Sequence, residues 1–502
     1  MLLLGIDLGT SSIKVTVVDA ATQAAIASAQ YPETEADIIS PHPGWAEQSP
    51  DLWWENIKQA ILKCNAGGLY DPMDIGAIGI AYQMHGLVLV DKQQHVLRNA
   101  IIWCDSRAVP IGNAAFDHIG HSRCLEHLLN SPGNFTASKL AWVKEHEPAV
   151  YERIDKVMLP GDFISMKFTG ECNTTVSALS EGIFWDFTTN SLSADVLNYF
   201  GFSKDMFPEI QPLFASHGLL NATTAARLSL KAGIPVAYKA GDQPNNALSL
   251  NVLNPGEVAA TAGTSGVIYG VSDQLGFDPQ SRINSFAHVN HRSSGQNDNR
   301  IGILLCINGT GIFNRWIRNL AGASLSYQSL NEAAAVIPPG SEGLLALPFG
   351  NGAERMLNNA EIGAHFSQLN FTTHSVGHMV RAVQEGIAFS FRYGLDIMRE
   401  NGMQPGVIRA GKANMFLSEV FTRSFVNSTG VAVEFYEGDG SFGAAIGAGI
   451  GAGVYASAAE AAQCRKPVST VTPDAVQQYE PLYQQWKQWL QHHLDQFNKS
   501  VS

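Results

Sequence analysis

Positive charge is in short supply: 32 Lys and Arg stand against 45 Asp and Glu, a formal charge of −13 over 502 residues. So acidic a chain is poorly matched to a nucleic-acid backbone or an anionic membrane surface. Cysteine is sparse as well. Cys64, Cys104, Cys124, Cys172, Cys306 and Cys464 lie far apart with no CxxC pair, which excludes a disulfide framework or a zinc-cysteine site. The opening Met1-Leu2-Leu3-Leu4-Gly5-Ile6-Asp7 has no basic start and meets an acid at once. It does not read as a secretory signal, and a reducing cytoplasm is the expected location. Low-complexity tracts and long linkers are missing. Only residues 441–459 are uncharged over a length near that of a spanning helix. More than half of that stretch is Gly and Ala, its hydropathy is weak, and Gly443, Gly447 and Gly451 recur every four residues, a spacing that lets a helix approach a neighbour closely. It is read as a core helix, with no membrane partner. Apolar content of 45% with 15% charged residues is that of a packed globular enzyme, and the length suggests about two to four domains.

The first forty residues predict an antiparallel meander: strands over 2–6, 13–18 and 24–30, split by turn residues. A helix follows, with Ser49 as N-cap, Pro50 at its first position, and Trp53, Ile57 and Ile61 on one face. Residues 75–82 and 87–91 are strand-like again. This order differs from a dinucleotide fold, which passes from its first strand straight into a helix. Strand 257–262, the turn Gly263-Thr264-Ser265-Gly266 and strand 267–271 echo Gly9-Thr10-Ser11 and strand 13–18, so an internal duplication is expected. A long amphipathic helix starts at Ser375 and closes at Asn401-Gly402. The expected division is 1–245 and 246–502, joined by a short hinge near residue 245.

Five segments carry chemistry. Gly5-Ile6-Asp7-Leu8-Gly9-Thr10-Ser11-Ser12 is a hairpin turn rich in N–H groups and hydroxyls, suited to phosphate oxygens, with Asp7 able to hold Mg²⁺; an ordinary Gly/Ser hairpin is the plainer account. With Gly263, Thr264 and Ser265 as a second such turn, one per half, the two can clasp a nucleotide's phosphates. Gly411 to Asn414 follows a strand at 407–409 and precedes a helix near Met415; its backbone can lie against a purine, or simply turn strand into helix. Strand 235–238 leads to Gly241-Asp242-Gln243-Pro244, where Asp242 is an N-cap in the plain reading and a proton acceptor in the functional one. Tyr82-Gln83-Met84-His85-Gly86 suits a polyhydroxylated ligand, although a lone His is more commonly structural. Gly438 to Gly443 matches GxGxxG formally, but no later strand ends in the acid a ribose needs, which disfavours a nicotinamide enzyme. His288 and His291 lack a third ligand nearby and receive no role.

Taken in order, Gly5 to Ser12, Gly241-Asp242, Gly263 to Gly266 and Gly411 to Asn414 resemble the FGGY carbohydrate kinases of the actin-like ATPase superfamily, over essentially the whole chain. The resemblance implies an α/β protein of two RNase H-like domains with an interdomain catalytic cleft. ATP and Mg²⁺ are the implied cofactors. It implies Asp242 as catalytic base; Gln83, Met84, His85, Asp242 and Gln243 at the sugar; Gly9, Thr10, Ser11, Gly263, Thr264, Ser265, Gly411 and Asn414 at the nucleotide; and Asp7 with Asp242 at the metal. A homodimer is also implied. Gln83-Met84-His85-Gly86 is similar to the substrate segment of members acting on D-xylulose, as are Pro43 to Gln48, Trp103 to Arg107 and Thr136 to Trp142, which implies transfer to the C5 hydroxyl. Other members act on L-ribulose, L-rhamnulose, glycerol or gluconate, and a non-catalytic regulator on the same scaffold is the reading from another class. Gln243 replaces the Asn common after the base, residues 363–369 carry His and Ser where a signature has apolar and Gly, and Gln384 stands where an apolar residue is usual.

Overall fold

The computed structural model describes residues 1–292, 299–322 and 324–501. Alternating apolar residues and short turns give the predicted meander, β1 (Leu2–Leu8), β2 (Ile13–Asp19) and β3 (Ala25–Tyr31), paired antiparallel. β4 (Ile75–Tyr82) runs parallel to β1, and β5 (Val236–Gly241) parallel to β4. Strands covered on both faces read as unbroken apolar runs, as β4 does in Ile75 to Tyr82. The sheet order is β3-β2-β1-β4-β5.

A second sheet uses β6 (Glu257–Ala262), β7 (Gly266–Ser272), β8 (Asn284–Ala287), β9 (Ile301–Ile307), β10 (Val407–Gly411), β11 (Val433–Tyr436) and β12 (Ser469–Val471). Its order is β8-β9-β7-β6-β10-β11-β12. The inner five, β9-β7-β6-β10-β11, repeat the first sheet strand for strand, antiparallel on one side of β6 and parallel on the other. The duplication expected from two Gly-Thr-Ser turns is thus a duplication of topology, and the fold is the pair of RNase H-like domains of the actin type.

Helices fill the faces. In α1 (Pro50–Ala66) the Ser49 hydroxyl accepts from the Leu52 N–H at 3.3 Å, and Trp53, Ile57 and Ile61 are buried. α2 (Asp242–Ser249) leaves the end of β5 directly. α3 (Gly311–Gly322) and α4 (Tyr327–Ala335) precede α5 (Val376–Glu400), whose Ser375 and His378 form a reciprocal cap and whose exit is Asn401 followed by Gly402 at φ 88°. The helix expected near Met415 begins as a 3₁₀ turn, Asn414–Leu417, because Asn414 adopts φ 53°; α6 (Glu419–Thr429) starts after Ser418 caps it.

α7 (Gly440–Gly451) is shorter than the stretch to 459 suggested, for a local reason. Gly453 turns left-handed at φ 74°, and the N–H groups of Gly453 and Val454 bond back to Ile450 and Gly449 at 3.0 and 2.8 Å, stopping the helix. Although it comes late in the chain, α7 lies on β1, β4 and β5 of the first sheet. Its glycines permit the approach. A Cβ on Gly451 would fall 1.8 Å from the Ala237 carbonyl oxygen, and one on Gly5 of β1 would fall 1.8 Å from that of Ser441. Among the described residues no helix is long and apolar enough to cross a membrane.

Candidate functional site

Parallel strands present their carboxyl ends to one edge, where ligands of open α/β sheets collect. β1, β4 and β5 end in register, Leu8 opposite Tyr82 and Tyr82 opposite Gly241. The Asp7–Ser12 turn, Gln83 and Asp242 therefore share one edge. Gly9 N–H closes the turn on the Ser12 carbonyl at 3.1 Å. The Thr10 hydroxyl donates to Gln83 Oε1 at 3.2 Å and accepts from Trp103 Nε1 at 3.0 Å, so the residue offers its main chain more than its side chain.

Carboxylates crowd this edge. Burial pushes Asp242 up to about 6, opposed by hydrogen bonds from the N–H and side chain of Gln243. Burial, then the charges of Asp242 and Asp439, push Asp7 up to about 7, with Lys14 pulling the other way. Burial also acts to raise Asp439, but it is outweighed by the Lys14 ion pair, the Phe442 N–H at 3.0 Å and the Ser441 hydroxyl at 2.7 Å, which hold it below the usual range. Three carboxylates converging with a single lysine among them, and Asp7 the least neutralised, suit a hard divalent cation. Asp439 was missed as a site residue, and Lys14 could in principle reach a phosphate but went unassigned, because alternation along its strand does not fix its direction. Asp439 belongs to the discounted GxGxxG segment, and Lys14 sits opposite Asp7 in the β1–β2 register.

The expected sugar-contacting segment divides. Gln83 is 2% exposed, its Nε2 donating to Gln48 Oε1 at 3.0 Å and its Oε1 held by Thr10. Met84 is buried against Gly241. Both side chains are thus engaged within the protein, Gln83 by Gln48 and Thr10 and Met84 by Gly241. His85 is the member left near the opening, at φ 60°, with Nδ1 3.0 Å from the Glu181 carbonyl oxygen and its ring 5.3 Å from Phe286 of the second sheet. Burial and the nearby Lys139 charge lower it to about 3, so it is a neutral imidazole. Beneath it lies a buried group: Tyr82 donates to Glu181 Oε1 at 2.7 Å, and Lys139 donates to the His85 carbonyl at 2.8 Å.

The supporting motifs form one network. Arg107 pairs with Asp105 at 2.7 Å and Glu47 at 2.8 Å, and its guanidinium lies 3.7 Å from the Trp45 ring centre and 4.8 Å from that of Trp142. Gln48 then donates to the Thr10 carbonyl at 2.8 Å. Residues 43–48, 103–107 and 136–142 thus brace the first turn.

In the second half, the Gly263–Ser265 turn is pinned by α3, whose Gly311 and Ile312 N–H groups bond to the carbonyls of Gly263 and Thr264 at 2.9 and 3.0 Å. Beside it opens a cavity of about 360 Å³ walled by Gly263, Thr264, Arg315, Tyr327, Asn331 and Asn414. Gly411, which ends β10, and Ser265 of the turn lie outside that wall. Arg315, Tyr327 and Asn331 carried no motif signal. The halves meet at the base: Cys306 on β9, exposed at its surface, feels the charge of Asp242 from the first half and that of Arg355 in the opposite sense. α2 and α7 cross there, Asn245 Nδ2 donating to the Gly440 carbonyl at 2.8 Å and the Ser249 hydroxyl to that of Asp439 at 3.0 Å. His288 bonds Tyr269 and the Val252 carbonyl at 3.0 and 3.1 Å, in the core.

Duplicated RNase H-like sheets, each with a glycine turn at its strand ends, define an actin-type ATPase scaffold. Residues 2–249 match the model of the N-terminal domain of the FGGY family of carbohydrate kinases. The chain is 31% identical over 403 residues to the xylulose kinase of Escherichia coli strain K12, covering 80% of each, and 30% identical over 410 residues to that of Bacillus subtilis strain 168, covering 80% of this chain and 78% of the other. The solved xylulose kinase from Rhodospirillum rubrum superposes with a TM-score of 0.87 at 25% identity, covering 99% of this chain and 100% of that one. The chain belongs to the FGGY family of carbohydrate kinases, enzymes for which ATP is a substrate.

Proposed function

We propose that this protein transfers the γ-phosphoryl group of ATP to the C5 hydroxyl of D-xylulose, giving D-xylulose 5-phosphate and ADP in the cytoplasm. One observation carries the mechanism: Asp242, first residue of α2, sits at the strand-end edge beside the Asp7–Ser12 turn, with a carboxyl tuned to about 6. At neutral pH it is ionised and basic enough to take the hydroxyl proton. As the sugar oxygen bonds to phosphorus, the bond from phosphorus to the β–γ bridging oxygen breaks, and the proton passes to the Asp242 carboxylate. Phosphoryl transfer is loose and in line, so the residues mainly position and neutralise. Main-chain N–H groups at Thr10, Ser11, Gly263, Thr264 and Ser265 hold phosphate oxygens, with Gly9 closing the first turn and leaving its backbone open to close approach, while Asn414 and Gly411 border the base. Gln243 fixes the Asp242 carboxylate toward the sugar. Asp7 and Asp242 would hold Mg²⁺, which would supply charge neutralisation on the phosphates. Residues 1–245 and 246–502 act as the closing halves, with α2 and α7 at the pivot, so that water is excluded once sugar is seated.

The substrate reading is supported by the names of the E. coli and B. subtilis relatives and by the placement of His85. The test is ADP release with D-xylulose, L-ribulose, L-rhamnulose, glycerol and gluconate, with the product identified by ³¹P NMR. D-xylulose is expected to give the highest kcat/KM, by at least about tenfold. Equal rates with and without any sugar would refute the kinase reading; preference for another acceptor would refute the D-xylulose reading.

A further inference from the structure

Gln384 lies on α5 in the core of the second half with none of its surface exposed. A primary amide is costly to bury unless its hydrogen bonds are made, and an apolar side chain would fill the same place at no such cost. Gln384 makes two bonds. Its Nε2 donates to Asn331 Oδ1 on α4 at 2.8 Å, and its Oε1 accepts from the Ser418 hydroxyl at 2.7 Å. Asn331 and Ser418 both wall the cavity beside Thr264.

The direction of this chain of bonds is set at its far end. Ser418 caps α6, its Oγ accepting the Phe421 N–H at 3.3 Å, which leaves the hydroxyl hydrogen to donate. That hydrogen goes to Gln384, so the oxygen of the Gln384 amide faces Ser418 and its nitrogen faces Asn331. Asn331 must then meet Gln384 with its own oxygen, which leaves its Nδ2, donating to no other side chain or carbonyl among the described residues, as the polar side-chain atom this cavity-wall residue has to offer.

We propose that Gln384 is a positioning residue for nucleotide recognition. It locks the Asn331 amide so that a donor, not an acceptor, faces the base, and the partner is a ring nitrogen of the purine. The inference rests on the reading of this cavity as the nucleotide site. An unlocked Asn331 can rotate its amide and offer either atom; the locked one pays no ordering entropy on binding and presents one polarity.

The test uses the full-length protein with ATP and with 1-deaza-, 3-deaza- and 7-deaza-ATP, each lacking one ring nitrogen. Wild type is expected to bind one of these analogues about tenfold more weakly than ATP, the usual worth of one hydrogen bond in such a site. That penalty should vanish in Asn331→Ala and shrink to about threefold or less in Gln384→Leu, with the KM for ATP raised and kcat and the sugar KM unchanged in Gln384→Leu. The double variant should be no worse than Asn331→Ala alone, the signature of residues acting through one contact. If Gln384→Leu does not fold, Gln384→Met, closer in shape, carries the same comparison. A penalty unchanged in Asn331→Ala or in the Gln384 variant, in a wild type that phosphorylates sugar normally, overturns this inference alone. A wild type that binds no ATP overturns it together with the kinase reading.

Discussion

Replacing Asp242 by Asn keeps the volume and the capping position on α2 but removes the only group proposed to accept the sugar's proton. General-base contributions run to about 10²–10⁴ in rate, so kcat should fall by that factor, about 3–5 kcal/mol of barrier, while the dissociation constant for ATP titrated without Mg²⁺ stays within about twofold. The pH dependence gives a second reading. Because the carboxyl is pushed up to about 6, wild-type kcat/KM should be level above pH 7 and fall about tenfold per unit on the acid side; the residual activity of the variant should lack that limb. Stability moves the opposite way to activity. A carboxyl whose folded value lies above its unfolded value of 3.8 favours the fold only while protonated, so its contribution is present below 3.8 and is lost as pH rises through about 6. At pH 8, in buffer with a chelator, Asp242→Asn should therefore be more stable than wild type by up to about 3 kcal/mol, the worth of that displacement. Relief of the repulsion on Asp7 acts in the same direction. ADP release, ATP titration calorimetry and urea unfolding measure the three quantities. Turnover within tenfold of wild type, or an acid limb that persists in the variant, would refute the assignment of the base.

Glu354 offers a second test through stability: it is 1% exposed, accepts the Asn308 N–H at 2.9 Å, and burial raises it to about 7. Its contribution to stability is lost as pH rises through 7, so Glu354→Gln should flatten the decline in unfolding free energy between pH 5 and 8.5 and gain about 3 kcal/mol at the upper end; an unchanged profile would show that the carboxyl is not buried. Gly5→Ala places a methyl 1.8 Å from the Ser441 carbonyl oxygen and should cost about 3 kcal/mol in urea unfolding as α7 is pushed off β1, whereas an effect below 0.5 kcal/mol would mean that α7 does not pack there. Arg107→Ala leaves Asp105 buried without its ion-pair partner, while Glu47 keeps Arg98, and should cost about 3–5 kcal/mol; Arg107→Lys should recover little of it, since the guanidinium contacts with the Trp45 and Trp142 rings are lost.

Local chemistry was legible in the chain. The two Gly-Thr-Ser turns, the meander, the Ser49-Pro50 helix start and the Asn401-Gly402 exit each depend on a few adjacent residues, and each stands where alternation and capping put it. What escaped was long-range. Lys14 meets Asp439 across 425 residues, and Gln384, Asn331 and Ser418 come from separate stretches of the second half. No spacing rule joins them. Gln83 shows the same limit from the other side: the segment was found, but whether its amide faces ligand or core is decided by Gln48 and Thr10.

The discounted glycine segment makes the physical reason plain. GxGxxG at Gly438 to Gly443 satisfies the pattern by which a backbone approaches a pyrophosphate, since that pattern encodes only the absence of Cβ atoms at a helix start. Here the same absence serves packing. A Cβ on Gly440 would lie 2.2 Å from Asp7 Oδ2, and one on Gly443 would lie 2.8 Å from the Ser249 Cβ. The residue that bears on chemistry is the Asp439 between the first two glycines, which the motif leaves unspecified. Glycine spacing reports that something comes close; what comes close is written in the opposing segment, and at this site that segment is the acidic end of β1, some 430 residues earlier in the chain.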